Sequence, residues 1–273
     1  MGDLGLGKEF HMMTSEKNRW IPTLLETSMS QVGPTTPVPW LGPILHKMPK
    51  AGHHSRAWLE FVGSQVRERV DKQVDRADVS ASPPAFWCSR LTRQIISHLV
   101  AAYNESEKKD VDYQWLRGDT RLTIVGGSDT TAATLTFLFY HLAKDPSQVD
   151  KLRAELEPLL DGKTRLDARD VAKAQHLNGV IQEALRLHPA IPSGFPRLTP
   201  PEGIMVSGTH IPGDTVVVLP VYAMQHDENN YADADEFVPE RWYSRPEMIK
   251  NREAFLTWNI GELGNLRVLS SPV

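Results

Sequence analysis

The chain has 273 residues, enough to bury a sizeable core, and its 40% hydrophobic and 23% charged residues are those of a globular protein rather than a disordered one. A formal net charge of −4 gives no electrostatic footprint for nucleic acid or an anionic membrane surface. The one cysteine, Cys88, excludes an internal disulfide and fits a reducing compartment.

The amino-terminal stretch MGDLGLGKEFHMMTSEKNRW has early acidic residues and no continuous apolar core, which makes it neither a signal peptide nor a membrane anchor. Residues 30–50 are proline-rich and separate a first short helical region from a second. His54 to Val74 carries Trp58, Phe61, Val62, Val66 and Val70 at approximate helical spacing, so a helix is expected there. After DVSASPP a further helix is expected from about Phe86 to Tyr103. The polar run NESEKKDVDY then reads as a surface loop.

Leu122 to Ala143 is long and apolar enough to be weighed as a membrane span. Asp129 in its middle, among Ser128, Thr130, Thr131 and Thr134, argues instead for a buried core helix. Gly126 and Gly127 are costly in a helix interior at about 1 kcal/mol each relative to Ala, so close backbone approach or a local helix break is expected to reward them. A new helix is expected from Asp145 (N-cap), with Pro146 at the first helical position and Gln148 placed for a capping box. It should finish near Leu160, early or bent because of Pro158. HLNGVIQEALRLHP reads as an amphipathic helix closed by Pro189. IMVSGTHIPGDTVVVLPVYAM, with β-branched runs between Ser-Gly and Pro-Gly-Asp turns, reads as short antiparallel strands. The fold class is therefore mainly α with a small antiparallel β portion.

Three motifs stand out in order. Glu183 and Arg186 in EALR are three apart and share a helix face, but E-x-x-R also occurs at Glu16–Arg19, so the spacing alone implies no more than a surface ion pair. FVPERW, Phe237 to Trp242, suggests a tight turn whose Arg241 packs inward. GGSDTT begins at Gly126.

Together, at these separations, the motifs resemble the cytochromes P-450, the heme-thiolate monooxygenases, in their eukaryotic microsomal branch as found in fungal secondary metabolism. GGSDTT is similar to the family's central helix over the heme. EALR is similar to its E-x-x-R helix, and FVPERW to the segment whose arginine completes a Glu–Arg–Arg cluster. The resemblance covers approximately Asp3 to Gly264. It implies that Asp129 and Thr130 are the catalytic acid–alcohol pair of a proton relay, and that Gly126 and Gly127 let the helix lie close over the cofactor. It also implies that Arg197 pairs with a heme propionate, and that Glu183, Arg186 and Arg241 form a structural charge cluster.

On this resemblance the chain is expected to be a partial domain. Residues 1–121 would form lid-type helices, 122–144 the heme-facing helix, 145–189 the helices including E-x-x-R, 190–264 the β portion and P-E-R-W segment, and 265–273 a divergent tail. The implied cofactor is heme. The implied partners are an NADPH-cytochrome reductase and a small-molecule substrate held partly by residues before Gly126 and by Ala190 to Phe195. The family is usually anchored to the endoplasmic reticulum membrane; this chain is expected to be intracellular and soluble, without an anchor.

The sequence departs from the family where the axial ligand is expected. The family's loop has the form F-x-x-G-x-[RH]-x-C-x-G. Aligned on Gly261, Trp258 replaces the aromatic, Leu263 stands where a basic residue is common, Asn265 occupies the cysteine position and Arg267 replaces the last glycine. The metal ligand is thus expected to be missing, since a carboxamide is a poor axial ligand for heme iron. Cys88, in PAFWCSRL with no glycine loop beside it, is expected to be a packing residue. His226 is expected to be structural. The expected alternative to a monooxygenase is a non-catalytic remnant, truncated at both ends, that does not bind heme.

Overall fold

A computed structural model describes residues 10–12, 14–30, 40–50, 52–71, 99–160, 162 and 166–258. Asn265, Gly261, Leu263, Arg267 and Cys88 lie outside the described residues, as does most of the helix expected from Phe86 to Tyr103; residues 99–105 are described and helical, two residues beyond the expected end. The chain forms two compact units, residues 1–129 and 130–273, and it is mainly helical with small antiparallel sheets.

In the first unit α1 (Trp20–Met29) and α2 (Leu41–Lys47) accompany the long α3 (His53–Asp71). The apolar positions of α3 fall on one face, and Trp58 and Val62 bury against Leu25 of α1 and Ile124. Phe61 gathers a second group of rings: Trp20 meets it edge-on at 5.5 Å and Trp58 stacks on it at 5.7 Å between centroids. The hydroxyl of Ser28 donates to the carbonyl of His54 and ties α1 to the start of α3. Arg56 donates to the carbonyls of His46, Met48 and Pro49, capping the end of α2 and the turn after it.

Helix α4 (Lys109–Lys144) is 36 residues long and corrects three expectations. It begins well before Leu122 and takes up the second half of the stretch read as a loop. Asp110 and Asp112 in its first turn favour the positive end of the helix dipole, Lys108 N–H donates to Ser106 Oγ, and Lys109 caps the carbonyls of Tyr103 and Asn104. It runs without a break through Gly126 and Gly127. Nor is it buried all round: in the first unit Leu116, Thr120 and Ile124 are buried while Val111, Trp115 and Leu122 are exposed. In the second unit Leu138 and Leu142 are buried while Phe139 and Tyr140 are exposed. Within each unit the described elements leave part of the helix surface exposed. Among the described residues, no helix is long and apolar enough to cross a membrane.

The second unit continues with α5 (Pro146–Leu160), the short α6 (Ala168–Val171) and α7 (Gln175–Leu187). Asp145 precedes α5 as its sequence requires, its carboxylate accepting from Ser147 N–H at 3.1 Å. The expected capping box takes another form, with Gln148 Nε2 donating to the Asp145 carboxylate, because the Asp145 N–H is already held by the carbonyl of His141. Pro158 sits inside α5 without ending it. Val180 and Ala184 of α7 pack on Leu138 and Leu142, with Val149 and Leu152 alongside.

Four short strands follow. β2 (Ile204–Val206) and β3 (Thr209–Ile211) form the expected hairpin, whereas β4 (Val216–Val218) pairs antiparallel with β1 (Pro196–Leu198), a strand the sequence did not announce. The run VYAM is not strand but the start of α8 (Val221–Gln225). PERW forms a 3-10 helix rather than a simple turn, and Tyr231, Ala234 and Ala254 build a small core beside Trp242.

Candidate functional site

Three of the residues singled out from the sequence meet at one buried point. Glu183 and Arg186 stand one turn apart on α7, and the 3-10 helix Pro239–Trp242 brings in Arg241; all three are fully buried. Glu183 Oε1 accepts from Arg186 Nη2 at 2.8 Å, Arg241 Nε at 2.9 Å and the Val238 N–H at 3.1 Å. Its Oε2 accepts from Arg186 Nε at 3.0 Å and from the indole N–H of Trp242 at 2.8 Å. One carboxylate thus faces two guanidinium groups, leaving an excess of positive charge that a buried site tolerates only when the remaining donors are satisfied.

Backbone carbonyls satisfy them. Arg186 donates to Gln225, Ala234 and Glu236, and Arg241 to Ala232 and Asp233. Burial pulls the Arg241 guanidinium below its ordinary pKa, while the attraction of Glu183 opposes that shift. The Arg186 guanidinium lies 4.9 Å from the ring centre of Tyr231, whose phenol is pushed up to about 12 by burial. The amide of Gln225, turned so that its nitrogen donates to the Arg186 carbonyl at 2.9 Å, accepts from the N–H of Leu256 at 3.2 Å. The cluster therefore fastens α7 to the segment running from Gln225 to Leu256. Its arrangement is that of a scaffold, since every charged atom is turned inward.

Close approach makes this possible. A Cβ at Gly179 would stand 2.6 Å from the carbonyl oxygen of Pro239, so only glycine lets the 3-10 helix reach α7 one turn before Glu183. The Glu155 carboxylate of α5 accepts the N–H groups of His176 and Leu177, both at 2.9 Å, capping α7 from a neighbouring helix. Sequence reasoning missed Gly179, Glu155 and the part played by Trp242. Trp242 lay within a quoted motif; Glu155 and its partners are separated by more than twenty residues and give no local signal.

The other candidates are not drawn into this cluster. Gly126 is exposed and an added Cβ there would meet nothing within 4 Å; Gly127 is half-buried. Asp129 is exposed on α4 and Thr130 half-buried. The Thr130 carbonyl accepts from the Thr134 hydroxyl at 2.9 Å, a bond that leaves the helix regular at this point. Arg197, on β1 opposite Val217, is exposed, and no carboxylate faces it among the described residues. His226 bridges the Leu187 carbonyl and the Asp235 carboxylate. Among the described residues there is no group of three or more His, Cys, Asp or Glu able to hold a metal ion.

Comparison with known proteins gives the arrangement its context. Residues 1–262 match the family model for cytochrome P450. The chain is 37% identical over 96% of its length to the cytochrome P450 monooxygenase lcsK of Purpureocillium lilacinum, of which it covers 45%. It is 38% identical to tryprostatin B 6-hydroxylase of Aspergillus fumigatus, of which it covers 44%, and 39% identical to the cytochrome P450 monooxygenase sthD of Phaeosphaeria nodorum, of which it covers 52%; both matches take in 96% of the chain. It thus spans about half the length of the curated relatives it matches. With the family model covering nearly all of it and the E-x-x-R and P-E-R-W residues locked into one buried cluster, the chain belongs to the cytochrome P450 family.

Proposed function

We propose that this chain is the E-x-x-R core of a heme-dependent monooxygenase acting on a small molecule of fungal secondary metabolism. The buried Glu183–Arg186–Arg241 network supports this reading most directly, because a fully satisfied charge cluster of this kind is a costly scaffold to maintain unless it holds an element in register. The relatives include a 6-hydroxylase of tryprostatin B, which supports hydroxylation of a small organic substrate. A NADPH-cytochrome reductase is the partner proposed with it, and the endoplasmic reticulum membrane its place of work.

The described residues suit heme on two counts. Taken separately, Gly126 in the first unit leaves open space beside α4, and Arg197 in the second offers a guanidinium that no carboxylate faces among the described residues, suited to a propionate. Asp129 and Thr130, adjacent on α4, would supply a carboxylate and a hydroxyl for proton delivery to a bound substrate or cofactor. The sequence where the ligand is expected does not suit it. The chemistry of a heme-thiolate enzyme depends on electron donation from a cysteine sulfur, and the sequence has Asn265 there.

That one residue favours a second reading for this polypeptide, a pseudoenzyme that keeps the P450 scaffold without heme. The test is direct: supply heme to the purified chain, reduce it, add carbon monoxide and record the absorption spectrum. No red-shifted thiolate band is expected. A stable band at stoichiometric heme would overturn the second reading. When the family's cysteine loop replaces residues 258–267 in the full-length context of a relative, heme uptake is expected, and Thr130→Ala should then separate oxygen consumption from product formation.

A further inference from the structure

His141, in the last turn of α4, and His188, immediately after α7, stand Nε2 to Nε2 at 2.9 Å. Their ring centres are 5.1 Å apart with the planes tilted by 33°, so the rings meet nearly end to end. Nitrogens in that attitude share one proton along the line between them, rather than pointing two lone pairs at a third body. Each ring is also clamped on its face: His188 stacks on Phe137 at 3.9 Å and 9°, and His141 on Phe237 at 4.3 Å and 7°. The stacks hold both rings in place, and the order Phe137, His188, His141, Phe237 alternates residues of α4 with His188, just after α7, and Phe237, just before the Pro239–Trp242 helix.

The bond forms when one ring carries hydrogen on Nε2 and the other presents a lone pair there; with both rings neutral the two histidines take complementary tautomers, and a first added proton, on the far nitrogen of the donor ring, leaves the bond in place. When both rings are cationic, both nitrogens carry hydrogen and the contact becomes repulsive. The surroundings are mixed. Lys144 on the same helix as His141, and Arg186 and His226 on the side of His188, oppose proton uptake, whereas Glu183 favours it; Asp235 is engaged with His226.

We propose that His141 and His188 form an acid-released latch that ties the end of α4 to the end of α7 through a single shared proton. The residues around it point the same way. Burial, then the neighbouring charges of His141, His226 and Arg186, push His188 down to about 4; burial and then Lys144 lower His141, with Glu183 opposing. A histidine held neutral in the folded state binds fewer protons than the unfolded chain does below the ordinary value of 6.5. The latch therefore contributes its full stabilisation above that value and loses it as pH falls toward about 4. The proposal is independent of whether the chain holds heme.

Nitrogen-15 spectra of histidine-labelled protein test it, combined with unfolding midpoints measured across pH. At neutral pH two histidines should show complementary tautomers, one with its proton on Nε2 and the other with its proton on Nδ1, and neither should titrate near 6.5. The wild-type midpoint should fall more steeply between pH 6.5 and about 4 than that of the double variant His141→Phe/His188→Phe, which keeps the ring stack without titratable nitrogens. Amides of the last turn of α4 should lose protection on acidification in the wild type and not in the variant. Two independently titrating histidines with ordinary values, or an unchanged pH slope in the variant, would overturn the proposal. Should the double variant fail to fold, the wild-type tautomer spectrum decides alone.

Discussion

Gly179 and Pro239 approach so closely that a methyl group on the first would stand 2.6 Å from the carbonyl oxygen of the second. A backbone oxygen cannot swing aside as a flexible side chain does. Gly179→Ala gains helix propensity of about 1 kcal/mol but must push the Pro239–Trp242 helix away, an overpacking cost of about 1–3 kcal/mol. That helix carries Arg241, so its displacement also lengthens the bond to Glu183. A net loss of stability is expected, measured as a lower denaturation midpoint; a midpoint equal to or above wild type would show that α7 and the 3-10 helix adjust freely.

The two E-x-x-R pairs make an internal control. Glu183→Ala strands two buried guanidinium groups and should cost about 3–5 kcal/mol. Glu16→Ala removes a 3.5 Å contact between exposed side chains and should leave the midpoint unchanged within error. Equal losses in parallel urea titrations would contradict the difference in burial.

Glu155 caps a helix to which it does not belong. Glu155→Ala leaves the N–H groups of His176 and Leu177 without their acceptor and should cost about 1–2 kcal/mol, in the range of a lost N-cap. Glu155→Gln, which keeps one acceptor oxygen, should lose less. The ordering of the two variants in thermal melts checks the assignment.

Tyr231 is expected to be the last tyrosine to ionise. Its phenol is raised to about 12, so between about 10 and about 12 the unfolded chain releases a proton that the folded chain retains, and stability falls as pH rises through that window. Absorbance titration should show a phenolate step that appears only near 12 or on unfolding, and that is missing in Tyr231→Phe. Because the buried hydroxyl has no hydrogen-bond partner among the described residues, Tyr231→Phe should be neutral or stabilising at neutral pH.

Much of the architecture could be read from the chain itself. Period and punctuation located the helix over His53–Asp71, the start of α5 at Asp145-Pro146, the end of α7 before His188-Pro189, and the hairpin of β2 and β3. These depend on local chemistry: which residues share a face, which donors go uncapped, where the backbone must turn. The family resemblance rested on the same kind of signal, three short motifs at set separations, and the family match bears it out.

Local spacing could not say which Glu and Arg would be buried. Glu16–Arg19 and Glu183–Arg186 have the same separation, yet one pair lies in solvent and the other is shut from it. The difference comes from residues far along the chain: Arg241 and Trp242, and the carbonyls of Gln225, Ala232, Ala234 and Glu236. A charge remains buried only when remote donors and acceptors replace its water, and their arrival depends on how the segments pack. The same holds for the meeting of His141 with His188, 47 residues apart. Sequence determined several of the helices, some of their ends and the family; tertiary packing decided which polar groups exchanged water for one another.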